Sequence, residues 1–207
     1  MEARIERAAG TSVNTWVVGD DEEVIVVDPG GDAASVLALV GDREVLAVIC
    51  THGHAAHTAA ALEVAARDEA PVALHPADRV YWREGHPSDN PEIDMEDGGI
   101  FEVADAALEV LHAPGHSPGS VCLYSADLQT VFTGDVMSVD GPVAHEDEFP
   151  DFSRQLSSIG EHVLTLPGQT RVLPGHGDEL TVAAAEKRFD SWVTAGPGAF
   201  AGEPGDE

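Results

Sequence analysis

The sequence predicts an α/β fold, a four-layer αββα sandwich of two mixed β-sheets with helices outside. Three observations point there. Short apolar, β-branched runs alternate with helical stretches, which is the pattern of a layered α/β protein. Both halves of the chain run strands first and a helix later. The chain has 207 residues, 43% of them apolar, which is the length of one large domain with a sizeable core.

In chain order, residues 15–18 (TWVV) and 24–27 (VIVV) read as successive strands. Asp28-Pro29-Gly30-Gly31 is a strong turn signal, and Asp32 can cap a helix running to residue 40. Residues 45–50 form the next strand and deliver Thr51 and the histidines after it to a strand end. Residues 58–68 are rich in Ala, Leu and Glu, hence helical, and Pro71 stops them before a short strand at 72–74. A hairpin is expected over 100–103 and 108–111, and a second pair over 120–124 and 130–133 with Asp127 near the turn. Helical spacing (Phe152, Leu156, Ile159, Val163) covers 152–166. A strand at 170–173 and a helix at 180–192 close the core. Residues 1–195 read as one domain. Residues 196–207 are rich in Gly, Pro and acid and read as a flexible acidic tail.

Acidic residues outnumber basic ones 38 to 10, for a net charge of −28. That excludes nucleic-acid binding through a basic surface and disfavours docking to anionic membranes. It fits a well-solvated surface from an acid-rich proteome or a salty interior. No run of 18 apolar residues exists, and Met1-Glu2-Ala3-Arg4 leads into no signal-like segment. Cys50 and Cys122, the only cysteines, each sit inside an apolar run and read as buried thiols. A cytoplasmic protein is expected, acting on a small molecule, with a homodimer left open.

Chemistry concentrates at four strand ends. Thr51-His52-Gly53-His54-Ala55-Ala56-His57 packs three histidines into six residues just after a strand. Imidazole is the commonest protein ligand for zinc and related metals. His52 and His54 can point to one side of such a loop while His57 approaches from another, which supplies two adjacent metal positions. His116 lies in Ala113-Pro114-Gly115-His116-Ser117-Pro118-Gly119-Ser120, a rigid turn that would hold a single ligand. Asp135 emerges from an apolar strand through Gly134, and His176 is flanked by Gly175 and Gly177. Loops at strand ends are where such folds place their sites. His75 reads as an edge histidine, His86 and His162 as surface ones, and His112 as packing beside the Pro-Gly turn. Tyr81 and Trp82 are candidates for a substrate wall or for the core.

The set His52-x-His54-x-x-His57, His116, Asp135 and His176, in this order and spacing, resembles the metallo-β-lactamase superfamily of metallohydrolases. The resemblance runs from about residue 12 to residue 192. The Pro-Gly-His-Ser-Pro-Gly-Ser segment is most similar to that of glyoxalase II-like thioesterases. It implies one metal on His52, His54 and His116, and a second on His57 and His176. Asp135 would bridge both and hold the nucleophilic hydroxide, and Asp28 would support the histidine loop from behind. Zinc, as one or two ions, is the implied cofactor, with iron or manganese as alternatives. A metal-bound hydroxide would attack a thioester or another activated carbonyl. Glyoxalase II enzymes hold glutathione with basic residues of a C-terminal helical extension; here Lys187 is the only lysine, so glutathione itself is not the expected substrate.

One position departs. The family pattern is His-x-His-x-Asp-His, and its aspartate falls at Ala56. The loss removes a negative charge and a proton acceptor, so affinity for a second metal and hydrolytic turnover should fall. Ala56 is then a natural variant, an engineered inactivating change, or a loss covered by Asp140, His145 or Glu146. Two other functions follow from that doubt. One is a mono-iron oxidative enzyme resembling persulfide dioxygenases, with His52, His116 and Asp135 as a facial triad. The other is an inactive relative serving as a binding module.

Overall fold

The computed structural model describes residues 2–8, 13–144 and 151–200. Its first sheet holds β1 (Arg4–Arg7), β2 (Trp16–Gly19), β3 (Glu23–Val27), β4 (Glu44–Ile49), β5 (Val72–Leu74) and β6 (Ile93–Asp94), side by side in that order. Strands β1 to β3 pair antiparallel, and β3 to β6 pair parallel. The second sheet holds β7 (Ile100–Val103), β8 (Ala106–His112), β9 (Val121–Ser125), β10 (Thr130–Gly134), β11 (Arg171–Pro174) and β12 (Leu180–Thr181). Only its β10–β11 pair is parallel. Both sheets are therefore mixed, as expected.

Period-2 alternation builds the layers. In β3, Ile25 and Val27 face the second sheet, where they meet Leu108, Leu123, Phe132 and Leu173. Val24 and Val26 face the other way, into a cluster with Val36, Val40 and Val64. Those three belong to α1 (Ala33–Val40) and α3 (Ala61–Ala66). The second sheet repeats the arrangement. Cys122, Val131 and Val172 turn outward onto Ile159, Val182, Ala185 and Trp192. Helix, sheet, sheet, helix follow from these faces. Trp16 meets Phe132 edge-on across the sheet interface, with centroids 6.1 Å apart. Truncating Phe132 there would cost about 3–5 kcal/mol.

Local signals explain the helix ends. Asp32 accepts from Ala34 N and Ser35 N and starts α1. The helix expected over 58–68 begins only at Ala61, as α3; the shorter α2 (Ala55–Thr58) precedes it, with a break where Ala60 N donates to Pro29 O at 2.9 Å. Uniform Ala and Leu propensity hid that break. The helix expected over 152–166 is α5 (Phe152–Ser158), and a π turn continues it over Ile159–Val163. Residues 180 and 181 pair with β11 before α6 (Val182–Ala195) begins, with Thr181 as its cap. Helix α4 (Arg79–Gly85) was not anticipated. Phe200, in the segment read as tail, stacks on Phe152 at 6.0 Å. No helix among the described residues is long and apolar enough to cross a membrane.

Candidate metal centre

Six of the residues singled out by spacing meet at one edge of the sandwich. The loop after β4 carries His52 and His54, and α2 carries His57. The turn between β8 and β9 carries His116, β10 leads directly to Asp135, and β11 leads to His176. Ligand atoms of His52, His54 and His116 all lie within 4.8 Å of one another, as do those of His57, Asp135 and His176. Asp135 Oδ2 stands between the two groups. It is 3.2 Å from His57 Nε2, 3.5 Å from His176 Nε2, 3.7 Å from His116 Nε2 and 3.9 Å from His52 Nε2. All six are buried except His176, which is partly open to solvent.

Asp28 organises the loop from behind. It follows β3 directly, in the left-handed region (φ 49°), a conformation Asp tolerates better than most residues. Its Oδ1 accepts from Thr51 N at 2.7 Å, and its Oδ2 accepts from Thr51 Oγ1 at 2.7 Å and lies 3.1 Å from His57 Nδ1. These contacts assign the tautomers. With Thr51 Oγ1 donating to Asp28, it can accept from His52 Nδ1 at 3.2 Å, which leaves His52 Nε2 bare. His57 likewise donates Nδ1–H to Asp28 and turns Nε2 to Asp135. His116 donates Nδ1–H to Val143 O at 2.9 Å, so its bare Nε2 faces His54 Nδ1, 3.0 Å away. Gln155 holds that loop by donating Nε2–H to Val143 O at 3.1 Å and Val136 O at 2.9 Å.

The electrostatics suit a cation. Burial, reinforced by the charges of His57 and His116, pushes His52 well below the usual histidine value, which keeps it neutral. Burial would lower His57 too, but the charges of Asp135 and Asp28 outweigh it and raise its pKa to about 10. Burial would raise Asp135, yet the His57 charge and hydrogen bonds from His176 and His57 hold it well below the usual carboxylate range. His52 Nε2 and Asp135 Oδ1 are buried without a hydrogen-bond partner, which costs free energy unless something else is bound there. Imidazole and carboxylate donors with bare lone pairs aimed at one another fit a divalent ion.

Ala56 is exposed beside His57 and offers no ligand atom. Asp140 is exposed, while His145 and Glu146 lie outside the described residues. His75 and His112 sit apart, as a stacked pair 4.1 Å between centroids. Tyr81 packs edge-on against His54 at 4.7 Å, and Trp82 is fully buried. His86, read as a surface histidine, is half-buried instead. Its Nε2 lies 2.9 Å from Thr58 O, and its ring rests on Trp82. Spacing missed the supports Thr51, Asp78 and Gln155.

Comparison with known proteins gives the same picture. The human acyl-coenzyme A thioesterase MBLAC2 is 29% identical over 87% of this chain and 77% of its own length. The hydroxyacylglutathione hydrolase GloC of Haemophilus influenzae is 27% identical over 88% of this chain and 93% of its own. The crystal structure of TTHA1623 in a di-iron-bound form superposes with a TM-score of 0.75, at 29% identity, over 89% of this chain and 97% of that one. The sequence profile of the metallo-β-lactamase superfamily matches residues 8–176, and the chain belongs to that superfamily.

Proposed function

We propose that this protein is a metal-dependent hydrolase acting on a thioester or similarly activated carbonyl, with zinc the first metal to consider. The observation that carries the reading is the convergence of His52, His54 and His116 on one side of Asp135, with His57 and His176 on the other. MBLAC2 and GloC, named for thioester substrates, support the substrate class. Divalent ions bound there would supply an activated water and a Lewis acid for the carbonyl oxygen.

The chain's own residues set up the rest. Thr51 and Val143 fix the tautomers that leave Nε2 of His52 and His116 as acceptors of a cation. Asp135 places the shared negative charge between the two ligand groups. Asp28 holds the ring of His57, and Tyr81 walls the site on the His54 side. No carboxylate at position 56 is available to take or give a proton, so a leaving group that departs without protonation is favoured. A thiolate, with a parent thiol pKa of about 8.5, does so far more readily than an alkoxide.

The test is to strip the chain of metal, reload it separately with zinc and with iron, and measure thiol release from a panel of acyl-thiols. Release that depends on metal is expected. Absence of thiol release from every substrate with either metal would overturn the proposal. The di-iron form of TTHA1623 makes iron the second metal to load.

A further inference from the structure

We infer that Asp78 is a positioning residue that locks the two histidine-bearing loops into one metal-binding geometry. The inference rests on the proposed metal reading for His52, His54 and His116. Asp78 lies in the short turn after β5 and immediately before α4, and its side chain is completely buried. Its Oδ2 accepts from Gly53 N at 2.9 Å and from Ser117 Oγ at 2.6 Å, and its Oδ1 accepts from Gly119 N at 2.6 Å. Gly53 is the residue between His52 and His54, and Ser117 follows His116 directly. One carboxylate therefore grips both segments that carry this histidine set.

The two glycines record how tight the grip is. A Cβ on Gly53 would sit 2.5 Å from the Asp78 carbonyl oxygen, and one on Gly119 would sit 2.7 Å from the Asp78 carboxyl. Both loops must bring bare backbone against Asp78 for the bonds to form. Ser117 Oγ is further fixed 2.7 Å from Ser120 Oγ, which also accepts from Ser117 N at 3.0 Å. The peptide at Gly53 sets the directions of His52 and His54, and the turn at Ser117 sets that of His116. Asp78 thus acts on the ligands through their backbone, without facing the ion itself. Partners that orient ligands in this way typically contribute about 10–100-fold to metal affinity.

Asp78→Asn separates this role from bulk and from charge. The amide must turn its N–H₂ toward at least one of the present donors, so part of the grip becomes a clash of like dipoles. Asp94→Asn is the control for charge, since Asp94, in β6, forms an exposed pair with Arg79, the residue after Asp78. Each full-length variant is stripped of metal and titrated with cobalt(II), reading the visible ligand-field bands. Amide hydrogen exchange at Gly53 and Gly119 is followed without metal. Asp78→Asn should weaken the first cobalt by about 10–100-fold, shift its bands and speed exchange at both glycines, while Asp94→Asn matches the parent. Parental cobalt affinity and bands in Asp78→Asn overturn the inference. Should that variant not fold, Ser117→Ala removes one bond of the three. It should shift affinity and bands in the same direction by less, and parental values there overturn the inference equally. A parent chain that binds no cobalt instead overturns the metal reading, and this inference with it.

Discussion

Replacing Asp135 with alanine probes the centre most directly. Among the described residues it is the one carboxylate within 4 Å of four histidines, and it is buried. In the metal-free protein its main partner is His57, whose pKa is raised to about 10 against a usual 6.5. Removing one member of a buried ion pair costs about 3–5 kcal/mol, because the other charge loses its compensation. A chain of this size loses about 2–4 °C of melting temperature per kcal/mol, so the variant should melt about 6–20 °C lower. The pH dependence follows from the two shifts. A raised histidine contributes stability in full below about pH 6.5, and loses it as pH climbs through about 10. A lowered carboxylate contributes above its ordinary value near 3.8, and loses that on acidification. The gap between parent and Asp135→Ala should therefore be widest between about pH 4 and 6.5, and should shrink toward pH 10. Circular-dichroism melts in chelator at a series of pH values measure it. A gap below about 2 °C near pH 5.5, or one that widens toward pH 10, would refute the assigned pairing. With metal added, Asp135→Ala should lose more bound ion than His176→Ala, because Asp135 Oδ2 lies within 4 Å of histidines of both ligand groups while His176 belongs to one.

Other outcomes follow from the same geometry. After mild dialysis, elemental analysis should find nearer one metal than two per chain, since the group of His57 and His176 shares Asp135 with the other group and gains no ligand from Ala56; two tightly held ions would contradict this. Ala56→Asp should raise metal content toward two and increase thiol release by about 10²–10⁴-fold, the scale of a general acid–base group. Unchanged metal content in that variant would show that position 56 faces away from the site. Cys50 and Cys122 are both fully buried, and burial lifts their thiol pKa values, that of Cys122 to about 12. Native protein should resist a thiol-reactive dye that labels both residues promptly once it is unfolded, and rapid labelling of the folded chain would contradict the burial.

The fold class was legible because short apolar runs such as 24–27 and 45–50 alternate with helical stretches and mark strands that are buried on two faces. A sheet with two buried faces demands a layer on both. The ligand residues were legible for a related reason. A metal centre needs donors on short rigid turns at strand ends, so His52, His54 and His57 stand together, and glycine or proline brackets His116 and His176. Weaker elements escaped. Strand β1 (RIER) has one apolar residue, and β6 and β12 have two residues each, too few to show a period. The break between α2 and α3 is set by a bond from Ala60 to Pro29, which no propensity contains. The supports of the site were decided by tertiary structure alone. Asp78 bonds donors 25, 39 and 41 residues away, and Gln155 bonds carbonyls 12 to 20 residues before it. Spacing along the chain records which residues can reach a metal from their own turn. Which carboxylate holds those turns against each other depends on where folding brings distant backbone, because a hydrogen bond is set by distance and angle and leaves no local pattern in sequence.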